Sequence, residues 1–270
     1  MAVLDLDISD HIAVVRLNRP ESRNALNPEL VVRLAQTWEA IRTDPQMRVA
    51  ILTGAGDSTF CAGFDLARFI PLMSGARQPE DEWDQTVQDR GGLVLAGKAT
   101  LRDLDLDKPV VVAANGHAIA GGMEMLLAGD IRMVAEGARL GLSEVRLGLI
   151  PAMGGTARLA RQMPPALASE ILLTGNPLSA ERALDAGLVN RVVPAEQVMD
   201  IAMEYAKTIG NNAPLAVRAA REIMQQSRDV SEREALEMER SRAQELAATE
   251  DAVEGPRSFL EKRPPVFKGR

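Results

Sequence analysis

Apolar residues in the first two-thirds of the chain fall into two patterns, short unbroken runs and longer stretches at helical spacing. The runs IAVVRL (12–17), RVAILTG (48–54) and PVVVAAN (109–115) are nearly continuous, as strands buried between two layers tend to be. Between the first two, Leu30, Leu34, Trp38 and Ile41 share one stripe and predict a helix over 28–44. Its start is marked by Asn27, which can cap, and Pro28, whose ring suits a first helical turn. After Pro194 no strand run returns, and four helical stretches follow at 195–210, 214–227, 232–248 and 250–262. The alternation predicts a layered α/β core over 1–194 and a helical region over 195–270. Residues 66–107 break both patterns, being polar and turn-rich and then weakly periodic. They predict a mobile loop leading to a helix, in which Phe69, Leu72, Met73 and Trp83 either line a pocket or simply pack.

Composition narrows the function classes. The chain has 270 residues, 46% of them hydrophobic, enough for a sizeable core. No apolar run approaches the length that spans a bilayer, and MAVLDLDISD lacks the basic start and apolar stretch of a signal peptide. Cys61 is the only cysteine and His11 and His117 the only histidines, which argues against disulfides and against a thiolate or histidine-rich metal site. These features predict a cytoplasmic protein. The net charge of −7 is spread along the chain and aromatic residues make up 3%, so nucleic acid and anionic membranes are not expected partners.

Three segments could carry chemistry. In TGAGDSTFCAGFDLARF (53–69) the glycines follow a strand, yet neither GxGxxG leading directly into a helix nor a P-loop lysine is present. The other reading is a tight turn at Ala62, Gly63 and Phe64 that turns a backbone N–H toward a ligand. In ANGHAIAGGMEMLLAGD (114–130) Gly121 and Gly122 precede a helical run, so Gly121 offers a free N–H at a helix start. Glu124, three residues on, shares its face, among Met123, Met125, Leu126 and Leu127. In LGLSEVRLGLIPAMGGTARL (140–159) Glu144 stands among leucines and Val145, with Arg146 and Arg158 as possible partners. A carboxylate in such surroundings loses hydration, and desolvation lifts its pKa toward neutrality. Two of them suggest a general acid/base pair. No GxSxG elbow supports a Ser-His-Asp triad, and Cys61 reads as packing.

Together these segments resemble the crotonase family, also called the enoyl-CoA hydratase/isomerase family, over almost the whole chain. LNRPESRNALNPEL is similar to its CoA-binding segment and FCAGFDL to its first oxyanion-hole motif. ANGHAIAGGMEMLLAGDIRM resembles the second oxyanion-hole motif with one glutamate, and LSEVRLGLIPAMGGTARL the segment with the other. LTGNPLSAERALDAGLVNRVVP and FLEKRPPVF also match. The resemblance implies a spiral of repeated ββα units with a C-terminal helical trimerisation region, assembled as a trimer or a dimer of trimers. It implies syn addition of water to a trans-2-enoyl-CoA, giving a 3-hydroxyacyl-CoA. Phe64 and Gly121 would supply the oxyanion-hole N–H groups, and Glu124 and Glu144 the acid/base pair. Arg23, Ala25, Leu26, Ala62, Asp65 and Leu66 fall where the family meets the CoA thioester. Phe267 and Lys268 fall where a C-terminal segment, from the same or a neighbouring subunit, adds to that pocket. No metal or cofactor is implied, because coenzyme A arrives as part of the substrate. The presence of both glutamates favours hydration over Δ3-Δ2-enoyl-CoA isomerisation, the alternative chemistry, and argues against a non-catalytic CoA-thioester scaffold.

Overall fold

The computed structural model describes residues 2–270. The chain opens with β1 (Leu4–Ser9), β2 (Ile12–Leu17) and α1 (Pro28–Thr43), then β3 (Val49–Gly54) and β4 (Thr59–Cys61). Three helices follow, α2 (Phe69–Met73), α3 (Glu82–Asp89) and α4 (Gly92–Ala99). The next unit is β5 (Val110–Ala114), β6 (His117–Ile119) and α5 (Gly121–Ala128), and the one after it β7 (Ile131–Ala135), β8 (Arg139–Gly141), α6 (Gly155–Gln162) and α7 (Pro165–Thr174). The core closes with β9 (Leu178–Ser179), α8 (Ala180–Asp185), β10 (Arg191–Val193) and α9 (Val198–Gly210). Beyond them lie α10 (Pro214–Gln226), α11 (Glu232–Ala247) and α12 (Glu250–Leu260).

The strands form two sheets, ordered β1-β2-β3-β5-β7-β10 and β4-β6-β8-β9. All neighbours are parallel except β1 with β2 and β8 with β9. Three consecutive units therefore put their first strand in the larger sheet and their second in the smaller, each then running into helix. This is the expected spiral of ββα units.

The inner strands β2, β3 and β5 of the larger sheet are buried on both faces, which is why they lack polar alternation. Ala13, Val15, Leu17, Ala50, Leu52, Val112 and Ala114 join the main core with the stripe of α1. Ile12, Val14, Val49, Ile51, Val111 and Ala113 face α9, packing with Val198, Ala202 and Ala206. The division expected at residues 194/195 thus falls inside the packed core, because α9 is the cover of one sheet face. The helices that leave the core begin at Pro214. α10 buries only Ala219, and α11 buries nothing within the chain.

The segment 66–107 also differs from expectation. Half of it is helical, and α4 and α3 pack on α1. Asp84, fully buried, receives Arg77 Nη1 at 2.6 Å, Arg77 Nη2 at 2.8 Å and the Glu80 N–H at 3.0 Å. An ion pair with extra hydrogen bonds can hold polar sequence in a folded position, and hydrophobic periodicity does not report it.

Candidate active site

The three segments singled out from the sequence meet where the second strands of the three units end. Gly63 has φ +93°, a conformation open to glycine, and packs so tightly that an added Cβ would lie 2.7 Å from Ala120 Cβ and 3.1 Å from Gly121 N. Leu26 and Phe64 form a parallel bridge, in which Leu26 N–H donates to Gly63 O at 2.8 Å and Asp65 N–H to Leu26 O at 3.1 Å. In such a bridge the central residue's own N–H points away from its neighbour, so that of Phe64 is left free. Its ring lies 3.1 Å from where a Cβ on Gly121 would stand and stacks on Phe69, centroids 4.8 Å apart. Gly121 is the first residue of α5 and has no intrahelical acceptor for its N–H. The preceding Ala120 holds φ 50° and ψ −122°, an uncommon backbone for a residue with a side chain. The helix itself sits hard against β4, since a Cβ on Gly122 would fall 2.2 Å from Cys61 O.

Glu124 is 2% exposed. Its Oε1 accepts from the Met153 N–H at 2.7 Å and the Gly155 N–H at 3.0 Å, while Oε2 takes no protein hydrogen bond. Burial raises its pKa above the ordinary carboxylate value, and the Gly155 and Met153 N–H groups, then Arg158 and Arg102, offset only part of that rise. Glu144 opens a short 3₁₀ turn, Glu144–Leu147. Its Oε2 is buried with no partner among the described residues. Burial, with the charge of Glu124 as a smaller contribution, raises its pKa to about 7. Two carboxyl groups of unequal character therefore stand beside two free backbone N–H groups. Such a set can hold a developing oxyanion while one carboxyl takes a proton and the other gives one.

The CoA-segment residues divide. Arg23 and Leu66 are exposed, and Ala25 and Ala62 half-buried. Leu26 is fully buried, its backbone N–H and carbonyl spent on the bridge and its side chain near Gly121, so it braces the Phe64 turn and cannot line an open surface. Asp65 pairs with Arg19 at 3.4 Å and accepts from the Ala67 and Arg68 N–H groups, both at 3.0 Å, which makes it a clamp on the turn. Phe267 and Lys268 lie elsewhere in the chain. Phe267 O accepts from Arg48 Nη2 at 2.7 Å, and Lys268 N–H donates to Asp251 at 2.7 Å. Arg48 stands at the N-terminal end of β3 and the Arg23 loop beyond the C-terminal end of β2, about 20 Å away along six-residue strands. One chain does not bring the tail and that loop together.

Sequence reading missed the parts that aim the site. The N–H groups of Met153 and Gly155 carry no side-chain signal. Asn24 is fully buried in a left-handed conformation, donates to Ala55 O and Thr59 O at 2.9 Å each, and accepts from the Arg19 N–H. It fastens the Arg23 loop to the β3–β4 turn. Its place inside the polar run ESRNAL was the only signal available. Among the described residues no cluster of His, Cys, Asp and Glu could hold a metal ion, and no helix is long and apolar enough to cross a membrane.

A glycine turn, a helix start with a free N–H and a pair of desolvated carboxyls thus fall on successive coils of a ββα spiral. The sequence matches the profile of the Enoyl-CoA hydratase/isomerase family over residues 7–270, and the chain belongs to that family. It is 38% identical over 264 residues to the (E)-benzylidenesuccinyl-CoA hydratase of Thauera aromatica, covering 98% of each chain. It is also 38% identical over 271 residues to the carnitinyl-CoA dehydratase of Proteus mirabilis, covering 99% of this chain and 98% of that one. Among solved structures, the enoyl-CoA hydratase of Bacillus anthracis superposes with a TM-score of 0.89 at 36% identity, covering 99% of this chain and 100% of that one.

Proposed function

We propose that the protein adds water to a trans-2-enoyl-CoA, or removes it in reverse, with Glu124 and Glu144 as a base and acid of opposite starting charge. The observation that carries the reading is Glu144, whose buried Oε2 lacks a partner and whose pKa is raised to about 7 beside a second buried carboxyl. A group so placed keeps its proton near neutrality and has an oxygen free to deliver it.

In the mechanism, the Phe64 and Gly121 N–H groups polarise the thioester carbonyl and hold the enolate oxygen. Glu124, fixed through Oε1, takes a proton from water with Oε2 as that water's oxygen bonds to C3. Glu144 gives its proton to C2 on the same face. One proton gained and one lost balance once Glu124 and Glu144 exchange them, directly or through solvent. Arg23, Ala25, Ala62 and Leu66 are the parts of the carried-over CoA set that remain open to the thioester's nucleotide arm, and Phe267 and Lys268 would have to join from a neighbouring subunit.

The named relatives act on substituted acyl groups, so the substrate panel should include (E)-benzylidenesuccinyl-CoA and carnitinyl-CoA beside straight trans-2-enoyl-CoA esters. With wild type, at least one ester is expected to change the enoyl-thioester absorbance, an enoyl ester losing it on hydration or carnitinyl-CoA gaining it on dehydration. Glu124→Gln and Glu144→Gln should each lower kcat by about 10²–10⁴-fold. No absorbance change with any ester, despite tight thioester binding, would overturn hydration and turn attention to 3-enoyl-CoA isomerisation.

A further inference from the structure

Arg158, on α6, is a charged group that the mechanism above does not use. Its guanidinium lies next to the Glu124 anchor. Arg158 Nη1 lies 3.0 Å from where a Cβ on Gly154 would stand, and Glu124 Oε1 lies 3.0 Å from where one on Gly155 would stand, so the two groups flank adjacent backbone positions. Nη2 donates to Leu101 O, tying the end of the 66–107 helices to α6. Nη1 is buried and has no hydrogen-bond partner among the described residues. A buried guanidinium that leaves a donor unspent is costly unless its charge has work to do.

Resting on the acid/base reading above, we infer that Arg158 is the positioning residue that keeps Glu124 anionic and so sets which carboxyl starts as base and which as acid. The charged surroundings support this assignment. Around Glu124 stand Arg158 from α6, Arg102 from the loop after α4, and Glu144 from the turn after β8. Arg102 is the weaker cation, because its side chain is 45% exposed and sits 3.4 Å from Asp103. Around Arg158 stand Glu124, Asp103, Asp130 and Arg102, with Glu124 its leading carboxylate. Glu144 has no comparable cation, and its shift comes from burial and from Glu124. Two carboxyls of the same chemical type thus differ in surroundings: Glu124 has the Gly155 and Met153 N–H groups and then Arg158 to favour its anion, and Glu144 has no cation of that kind.

The test is ¹³C-carboxyl NMR titration of glutamate-labelled free enzyme, the Glu124 signal being assigned by its loss in Glu124→Gln. Removing the cation destabilises the Glu124 anion, so in Arg158→Gln its midpoint should rise by about one pH unit, and Arg158→Lys should restore most of it. The acid limb of kcat/KM, which reports ionisation of the base, should move up by the same amount. An unmoved midpoint in folded Arg158→Gln overturns the inference. Should that variant not fold, unmodified protein still decides. The Arg158 guanidinium ¹⁵N resonance should follow pH with the Glu124 midpoint and become flat in Glu124→Gln, and a flat wild-type response overturns it equally. Because the titrations need no substrate, failure of the hydratase reading would show separately, as absence of turnover in wild type.

Discussion

At the scale of single residues, the site is built by withholding partners. Glu144 gives up a hydrogen bond to Oε2 and Glu124 gives up water, and both keep reactivity in return. This leaves a trace in stability. The pKa of Glu144 rises from 4.5 in the open chain to about 7 when folded, so the fold favours its protonated form. The contribution is fully present below pH 4.5 and is lost as pH rises through about 7. Thermal melts should show stability declining across that interval in wild type, with the decline flattened in Glu144→Gln. An unchanged slope in the variant would mean that Glu144 titrates like a surface carboxyl. Glu124 and Glu144 were both legible in sequence because a carboxylate among leucines is conspicuous. Asn24, Met153 and Gly155 were not, since backbone donors and buried amides are arranged by tertiary contacts alone; Arg158, offered by the sequence as a partner for Glu144, acts on Glu124 instead.

At the scale of elements, legibility followed length and burial. The helix α1 and the strands β2, β3 and β5 were readable from continuous or periodic apolar residues, and Trp38 is buried as expected, its Nε1 donating to Ala99 O at 3.0 Å. The strands β4, β6 and β8 have three residues each, too few for any period to register, although they carry the site. β1 hid behind its aspartates, an edge strand with apolar residues on alternate positions only. The segment 66–107 is held both by the Arg77–Asp84 pair and by buried Phe69, Leu72, Val87 and Leu95, but its helices are too short for their apolar spacing to register in sequence. Asp84→Asn leaves Arg77 with only the exposed Glu80, 3.4 Å away, as a charge partner, and should cost on the order of 3 kcal/mol, since breaking one side of a buried pair is expensive. Urea unfolding would measure the cost. Hydrogen exchange should show α3 opening well before α1, and uniform protection across both helices would contradict the assigned role of the pair.

At the scale of the whole molecule, α10–α12 stand off the core with much apolar surface uncovered. α10 is tethered by charge, Arg221 Nε reaching Asp130 at 2.9 Å. On α12, Val253, Phe259 and Leu260 are 63%, 82% and 80% exposed, and Val266 follows at 64%. Apolar residues so exposed on one helical arm are expected to be covered by another copy of the chain. Analytical ultracentrifugation should find an oligomer, and Phe259→Glu with Leu260→Glu should shift it to smaller species. A wild-type monomer at micromolar concentration would leave the tail residues Phe267 and Lys268 with no route to a CoA pocket.

The spiral distributes the site unevenly among its turns. The β4 turn supplies the Phe64 N–H, the β6 turn supplies Gly121 and Glu124, and the β8 turn supplies Glu144. On the proposed hydratase reading, the grip on the thioester oxygen would span the first two coils, while the last proton donor would belong to the third alone. Replacing what the third coil presents would change what happens to the enolate and leave untouched how it is held. A lineage built on this plan can therefore inherit the costly part of its catalysis, a preorganised anion hole, and diversify by altering one loop.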